Sequence, residues 1–232
     1  MKWSEPLILA TILKRYKRFL ADINLGEKTI TAHVPNTGSM TSCWEPNWKC
    51  ALSVSKNPDR KMPHTLELIH NGETWIGVNT MNANKLAKIW LTNNLIPELS
   101  GYKTVIAEKK IGLSRMDFYL DDHSDKPACF VEVKNVTLKK DGLAQFPDSV
   151  SERGQKHLQE LMEIKKSGLR AAMLYVVQRE DVVKFTAAGS IDAKYAFLLK
   201  DAQAAGVEIY AYQCNMGLKE LTLGKRLPVE FN

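Results

Sequence analysis

The chain has 232 residues, 44% hydrophobic and 25% charged, with a formal net charge of +6. These values describe an ordinary globular protein with room for one large domain or two small ones, and the basic excess favours a polyanionic partner without requiring one. The scattered cysteines (Cys43, Cys50, Cys129, Cys214) form no Cys-x-x-Cys pair and meet no histidine at zinc-finger spacing, which argues against a structural zinc site. Without a secretory signal they read as reduced thiols of a cytoplasmic protein.

In chain order, the first expected element is Leu7–Leu13, too short for a membrane span and followed by Lys14-Arg15. Further short strands are expected at Tyr16–Ile23, Thr29–Val34, Ala51–Ser55, Thr65–Ile69 and Thr74–Asn79, each bounded by Gly, Pro, Asn or Asp. Strands without helical periodicity over residues 1–81 suggest a small OB-like β-barrel domain. Lys14-Arg-Tyr-Lys-Arg-Phe19 puts four cations and two aromatics on this barrel. Either Lys14, Arg15, Lys17 and Arg18 track a nucleic-acid backbone, with Arg60 and Lys61 extending the surface, or the segment is a solvated strand face with Tyr16 and Phe19 in the core. In His33–Met40, Asn36 and Gly38 suit positive φ. The exposed amides and hydroxyls of this run can receive a phosphate or belong to a plain turn.

Residues 82–232 mix both periods. A helix is expected over Asn82–Leu99, with Leu86, Ile89, Trp90 and Leu95 on one face, then strands at Tyr102–Ile111, Arg115–Asp121 and Ala128–Val136. Ser149-x-x-Glu152 is a capping-box pattern opening a helix with Leu158, Leu161 and Met162 as its stripe. Arg170–Gln178 reads as a buried central strand, Asp192 as the cap of a helix ended by Gly206, and Val207–Tyr212 as a last strand. Helical crossovers between the later strands imply parallel pairing, hence a mixed-sheet α/β domain within a chain that is α+β overall.

Chemistry concentrates in Ser114–Asn135. Along a strand, Glu132 and Lys134 share one face while Val131 and Val133 take the other, and Asp117 on the preceding strand can sit beside Glu132. Two carboxylates plus a main-chain carbonyl can hold Mg2+ or Mn2+, with Lys134 stabilising charge or orienting the nucleophile. The bland alternative is a sheet face where Glu132 and Lys134 are merely solvated. Glu98 and Glu108 are candidate third acids; Glu98 would sit at a helix C-terminus, where the macrodipole disfavours it. On the following helix Gln155 can orient a metal-bound water, and Arg153 and Lys156 can take phosphates. His157 invites a general-base reading, although a lone helical histidine is more often satisfied or solvent-facing. Gly154 costs a helix about 1 kcal/mol relative to alanine, which marks close packing or backbone approach to a ligand.

Several blocks in order, among them Pro35-Asn-Thr-Gly-Ser-Met40, Trp75-Ile-Gly-Val-Asn-Thr80, Ser114-Arg-Met-Asp117, Val131-Glu-Val-Lys134 and Glu152-Arg-Gly-Gln-Lys-His-Leu158, resemble the bacterial sugar fermentation stimulation protein A (SfsA) family. The resemblance runs from near residue 5 to near residue 213. It implies an N-terminal OB-like domain, a C-terminal PD-(D/E)xK nuclease-like domain, non-specific DNA binding and a regulatory role in sugar, notably maltose, fermentation. Carried over by position, the superfamily motif falls on Asp117, Glu132 and Lys134, with Glu98 as helix acid and Gln155 as helix-borne partner; Asp117 and Glu132 would be the metal ligands. Met116 replaces the motif's proline, and Asn135 stands where serine is expected. Motif residues do not by themselves establish cleavage, so a DNA-binding regulator using the nuclease fold as a scaffold is the alternative.

Overall fold

The computed structural model describes residues 1–112 and 114–231. Six strands open the chain: β1 (Ile8–Tyr16), β2 (Leu20–Leu25), β3 (Lys28–His33), β4 (Lys49–Val54), β5 (His64–His70) and β6 (Trp75–Gly77). Their order is β3-β2-β1-β4-β5-β6, and a parallel bridge from His33 to Thr65 joins β3 to β5, closing a five-stranded barrel. Alternation fills it: Ile12, Ala21, Ile23, Ala32, Cys50 and Leu66 form part of one buried cluster. The expected strand Tyr16–Ile23 is instead split. Lys17 and Arg18 adopt positive φ (49° and 64°), and the chain reverses between β1 and β2. Asn36 and Gly38 do not take the positive φ expected of them; Met40 and Ser42 do.

Helix α1 (Asn82–Thr92) follows, and buries Ala83, Leu86, Ala87, Trp90 and Leu91, a helical i, i+3, i+4, i+7, i+8 stripe. It ends well before the expected Leu99. Asn94 takes positive φ, Leu95 is exposed, and Pro97–Leu99 form a separate 3-10 turn. The start of α1 is tied to the barrel through buried Glu67, whose carboxylate accepts hydrogen bonds from Ser53, Asn79 and Asn82.

Beyond the 3-10 turn run β7 (Thr104–Ile111), β8 (Ser114–Asp121), β9 (Cys129–Val136), β10 (Leu138–Lys140), β11 (Leu143–Phe146), α2 (Glu152–Lys166), β12 (Arg170–Val177) and β13 (Lys184–Ala187). The chain finishes with α3 (Ala193–Ala204), β14 (Glu208–Met216), β15 (Leu221–Leu227) and β16 (Val229–Glu230). The main sheet has the order β15-β14-β12-β9-β8-β7, parallel across β9, β12 and β14 and antiparallel at both flanks. A small sheet, β10-β11-β13-β16, was not foreseen from the sequence. Its strands have two to four residues, too few for a period-2 pattern to emerge. One face of the main sheet packs on α1 through Val131, Val133 and Leu174; the other packs on α2 and α3 through Phe130, Met173 and Tyr175. The N-cap of α2 is Ser151, whose hydroxyl accepts from the Gly154 amide, and not the expected Ser149. A side chain on Gly154 would meet Tyr195 of α3 at 3.0 Å, so that glycine permits the close approach of the two helices.

Candidate active site

The β8–β9 ladder pairs Phe118 with Val131, and the same register carries Asp117 opposite Glu132. There the strands part. Asp117 Oδ2 accepts the Val133 amide at 2.8 Å, in place of a main-chain partner, and Oδ1 accepts from Asn84 Nδ2 of α1 at 2.8 Å. Val131 and Val133 point to the α1 face while Glu132 lies on the α2 face, as strand alternation requires. Lys134 Nζ donates to Glu132 Oε1 at 2.7 Å.

Glu132 is 2% exposed. His157 Nδ1 also contacts its Oε1, and Arg153 Nε donates to His157 Nε2 at 3.4 Å. The Glu132 carboxylate can only accept, so the Nδ1 hydrogen of His157 is directed at it, and Lys134 Nζ lies 3.1 Å from the same nitrogen. Oε1 is thereby doubly satisfied, whereas Glu132 Oε2 is buried with no hydrogen-bond partner. Burial, then the Glu132 charge, hold the Asp117 carboxyl above its ordinary range despite its two hydrogen bonds. Burial alone would also raise Glu132, but the His157 hydrogen bond and the Lys134 charge outweigh it and leave that carboxyl lowered.

A buried carboxylate oxygen without a donor, beside a second carboxylate, is a hard-oxygen set that suits a divalent cation. Among the described residues no cluster of three or more His, Cys, Asp or Glu side chains gathers as a metal cage. Two carboxylates match magnesium, which keeps waters and substrate oxygens for its remaining positions.

A cavity of about 430 Å3 opens over these groups. Asp117, Glu132, Lys134 and Arg153 line one side, and the Asn36–Gly38 segment of the barrel lines another, with Asp148 between. Other expected site residues lie elsewhere. The Glu98 carboxylate accepts from Tyr212 at 2.7 Å and pairs with Arg226 at 2.5 Å, on the β14–β15 side of the sheet. That explains why it tolerates its position without joining the site. Glu108 is exposed and pairs with Arg115. Gln155 Nε2 donates to both oxygens of Asp192, tying α2 to the cap of α3. Lys156 pairs with Glu160 one helical turn on and borders a different cavity.

On the barrel, Lys14, Lys17, Arg18 and Lys61 are exposed. Arg15 is not free: it donates to the carbonyls of Arg18, Asn36, Gly38 and Ser39. Arg60 is engaged with Thr65 and His33. Tyr16 bonds Asp22, and Phe19 is exposed in the turn, so neither ring is buried in the barrel core. Residues that sequence reasoning passed over are Asn84, Asp148 and the contact role of His157. Asn84 had one weak signal, as one of three asparagines (Asn79, Asn82, Asn84) crowded at the mouth of a helix they do not favour.

A closed OB barrel leading into a mixed sheet, with an acid, a second acid and a lysine where two strands diverge, defines a two-part protein, an OB domain joined to a mixed-sheet α/β domain. The profile described as "SfsA N-terminal OB domain" matches residues 13–78, and "Sugar fermentation stimulation protein RE domain" matches residues 81–220. The chain belongs to the sugar fermentation stimulation protein (SfsA) family. A sugar fermentation stimulation protein homolog of Geobacter sp. (strain M21) is 47% identical over 231 residues, covering 99% of each chain. One of Pseudoalteromonas atlantica is 46% identical over 235 residues, again with 99% of each covered. The structure of Pyrococcus furiosus SfsA in complex with Ca2+ is 30% identical, with a TM-score of 0.88 over 99% of this chain and 98% of that one. No helix among the described residues is long and apolar enough to cross a membrane.

Proposed function

We propose that this protein binds DNA without reading its sequence and hydrolyses phosphodiester bonds at Asp117, Glu132 and Lys134 with Mg2+ or Mn2+. The observation that carries this reading is the unpartnered, buried Glu132 Oε2 in the wall of a cleft that also holds Asp117 and Lys134. The calcium complex of the Pyrococcus furiosus relative supports use of a divalent cation. Asp117 and Glu132 would hold the cation, which when bound lowers the pKa of a coordinated water and neutralises phosphate charge. Asn84 and the Val133 amide fix the Asp117 carboxylate, and His157 fixes that of Glu132. Lys134, rooted on a buried strand, offers an ammonium where charge develops on the phosphate. Arg153, also lining the cleft, is placed to take a neighbouring phosphate. All four cysteines are free and buried, which supports a reducing, cytoplasmic setting. The relatives' name points to sugar fermentation, and a regulatory role there would act through DNA.

The test is incubation of purified protein with DNA and RNA, single- and double-stranded, across Mg2+, Mn2+ and EDTA. Cleavage is expected with metal and absent in EDTA. If no metal supports cleavage of any substrate, the enzymatic half fails and a DNA-binding scaffold remains.

Lys14, Lys17, Arg18 and Lys61 are proposed to neutralise phosphates along the barrel. Replacing Lys14, Lys17 and Arg18 together by alanine should flatten the slope of log affinity against log salt by about 0.9 for each duplex phosphate the turn ceases to neutralise. An unchanged slope would remove this turn from the DNA surface.

A further inference from the structure

The cleft is two-sided, and its second wall is built by the barrel. The loop Asn36–Ser39 is fastened by Arg15, whose guanidinium donates to the carbonyls of Asn36, Gly38 and Ser39 at 2.9–3.3 Å. Asn36 is buried, its Nδ2 donating to the Val78 carbonyl and its Oδ1 accepting the Gly38 amide. From the opposite side, Asp148 approaches so closely that a Cβ on Gly38 would meet its Oδ2 at 2.1 Å. Ser39 Oγ donates to that same oxygen at 3.4 Å. The loop is thus held from the barrel side by Arg15 and Asn36 and from the other by Asp148, with Arg15 supplying most of the bonds.

What remains between the walls is about 430 Å3, the size of a pocket for one small ligand and on the order of a nucleotide. A continuous duplex would have to bring its second strand through the same space. Apolar Phe146, half-buried, and Leu138, buried, line the cavity among its polar groups. Apolar surface there suits the faces of unstacked bases, as single-strand sites do, and gives nothing to the phosphates on the outside of a duplex.

Resting on the DNA-binding reading above, we propose that the Arg15-clamped loop restricts the cleft to single-stranded DNA. A free end, gap or flap would pass between barrel and sheet, and intact duplex would be kept from Asp117 and Glu132. Duplex would still meet the exposed cations of the β1–β2 turn.

The test reads binding, not cleavage. Anisotropy of a short labelled single strand is measured in calcium buffer, competed by unlabelled single strand or by relaxed, covalently closed circular duplex at equal nucleotide concentration. Single strand is expected to compete at least about tenfold better. Thr37→Trp fills the cleft from an exposed position, and should remove that preference while direct duplex binding and the melting temperature stay unchanged. Arg15→Ala, which frees the wall, should narrow the preference by strengthening duplex competition. Duplex competing equally, or a preference untouched by Thr37→Trp, overturns the inference and leaves DNA binding intact. Absence of binding to either form overturns the inference together with the DNA-binding reading. A protein that binds single strands in the cleft yet never cuts them upholds the inference and sinks only the enzymatic half.

Discussion

Replacing Asp117 by asparagine is expected to lower metal-dependent cleavage by on the order of 10³-fold while leaving the protein as stable as wild type or more so. The loss follows from removing one of two carboxylates proposed to hold the cation. The retained stability follows from the surroundings of that carboxylate. It is half-buried and close to the charge of Glu132, and its carboxyl is held above the ordinary range, so its ionised form disfavours the folded state near neutral pH. The sign is clear: a group whose folded pKa is raised stabilises while protonated, and that contribution is lost as pH rises through the folded value. An asparagine removes the charge. Its oxygen can still accept the Val133 amide, and the Asn84 amide can turn over to accept from the new NH2 group. Cleavage and thermal unfolding of the two proteins in metal-free and metal-containing buffer check both halves. A variant that cleaves within about tenfold of wild type, or melts well below it without metal, contradicts this account.

The second large effect is structural. Arg179→Met is expected to cost about 3–5 kcal/mol, because it strips a buried ion pair of one partner. The Arg179 side chain is 1% exposed and donates to both oxygens of Asp181 at 2.7 and 2.8 Å, to the Thr137 carbonyl at 2.7 Å and to Ser42 at 3.2 Å. It therefore ties the loop after β3 in the barrel to the mixed-sheet domain. Methionine fills similar space but leaves Asp181 to Lys139 and Asn71 alone. Burial would raise the Asp181 carboxyl, yet Arg179 and Lys139 hold it well below the ordinary range. A depressed carboxylate stabilises above its unfolded pKa, and this contribution fades as pH falls from there through the folded value. The gap between variant and wild type should accordingly be full at neutral pH and shrink in acid. Urea unfolding at both pH values measures it; a neutral-pH loss under about 1 kcal/mol would show that the pair is not holding the halves together.

Much of the site was legible because it lies on regular strands. Alternation alone separates Glu132 and Lys134 from Val131 and Val133, and the structure places them on opposite faces of β9. The barrel strands other than Tyr16–Ile23, and the Asp192 cap, were equally legible, since turn residues and caps act over a few positions. Local signals misled where two neighbours offered the same chemistry. Ser149 and Ser151 can both cap, and contact with Asp192, whose carboxylate accepts the Ser151 amide, settles it for Ser151.

The roles of long polar side chains were not legible at all. Arg15 read as a cation for phosphate, and instead it clamps the loop facing the cleft. Glu98 and Gln155 read as site groups, and they are taken by Tyr212, Arg226 and Asp192. Asn84 drew no reading, and it orients Asp117; His157, weighed as a general base or a satisfied residue, is satisfied, and its partner is Glu132. The sequence by itself determined which strand carries the acids and which way they point, because a pleated strand has a period of two whatever lies around it. Only the tertiary structure decided which residues gather about those acids. Arg, Gln, Asn and His reach several ångströms from the backbone, and their partners lie up to 137 residues away in the chain, where no local pattern extends.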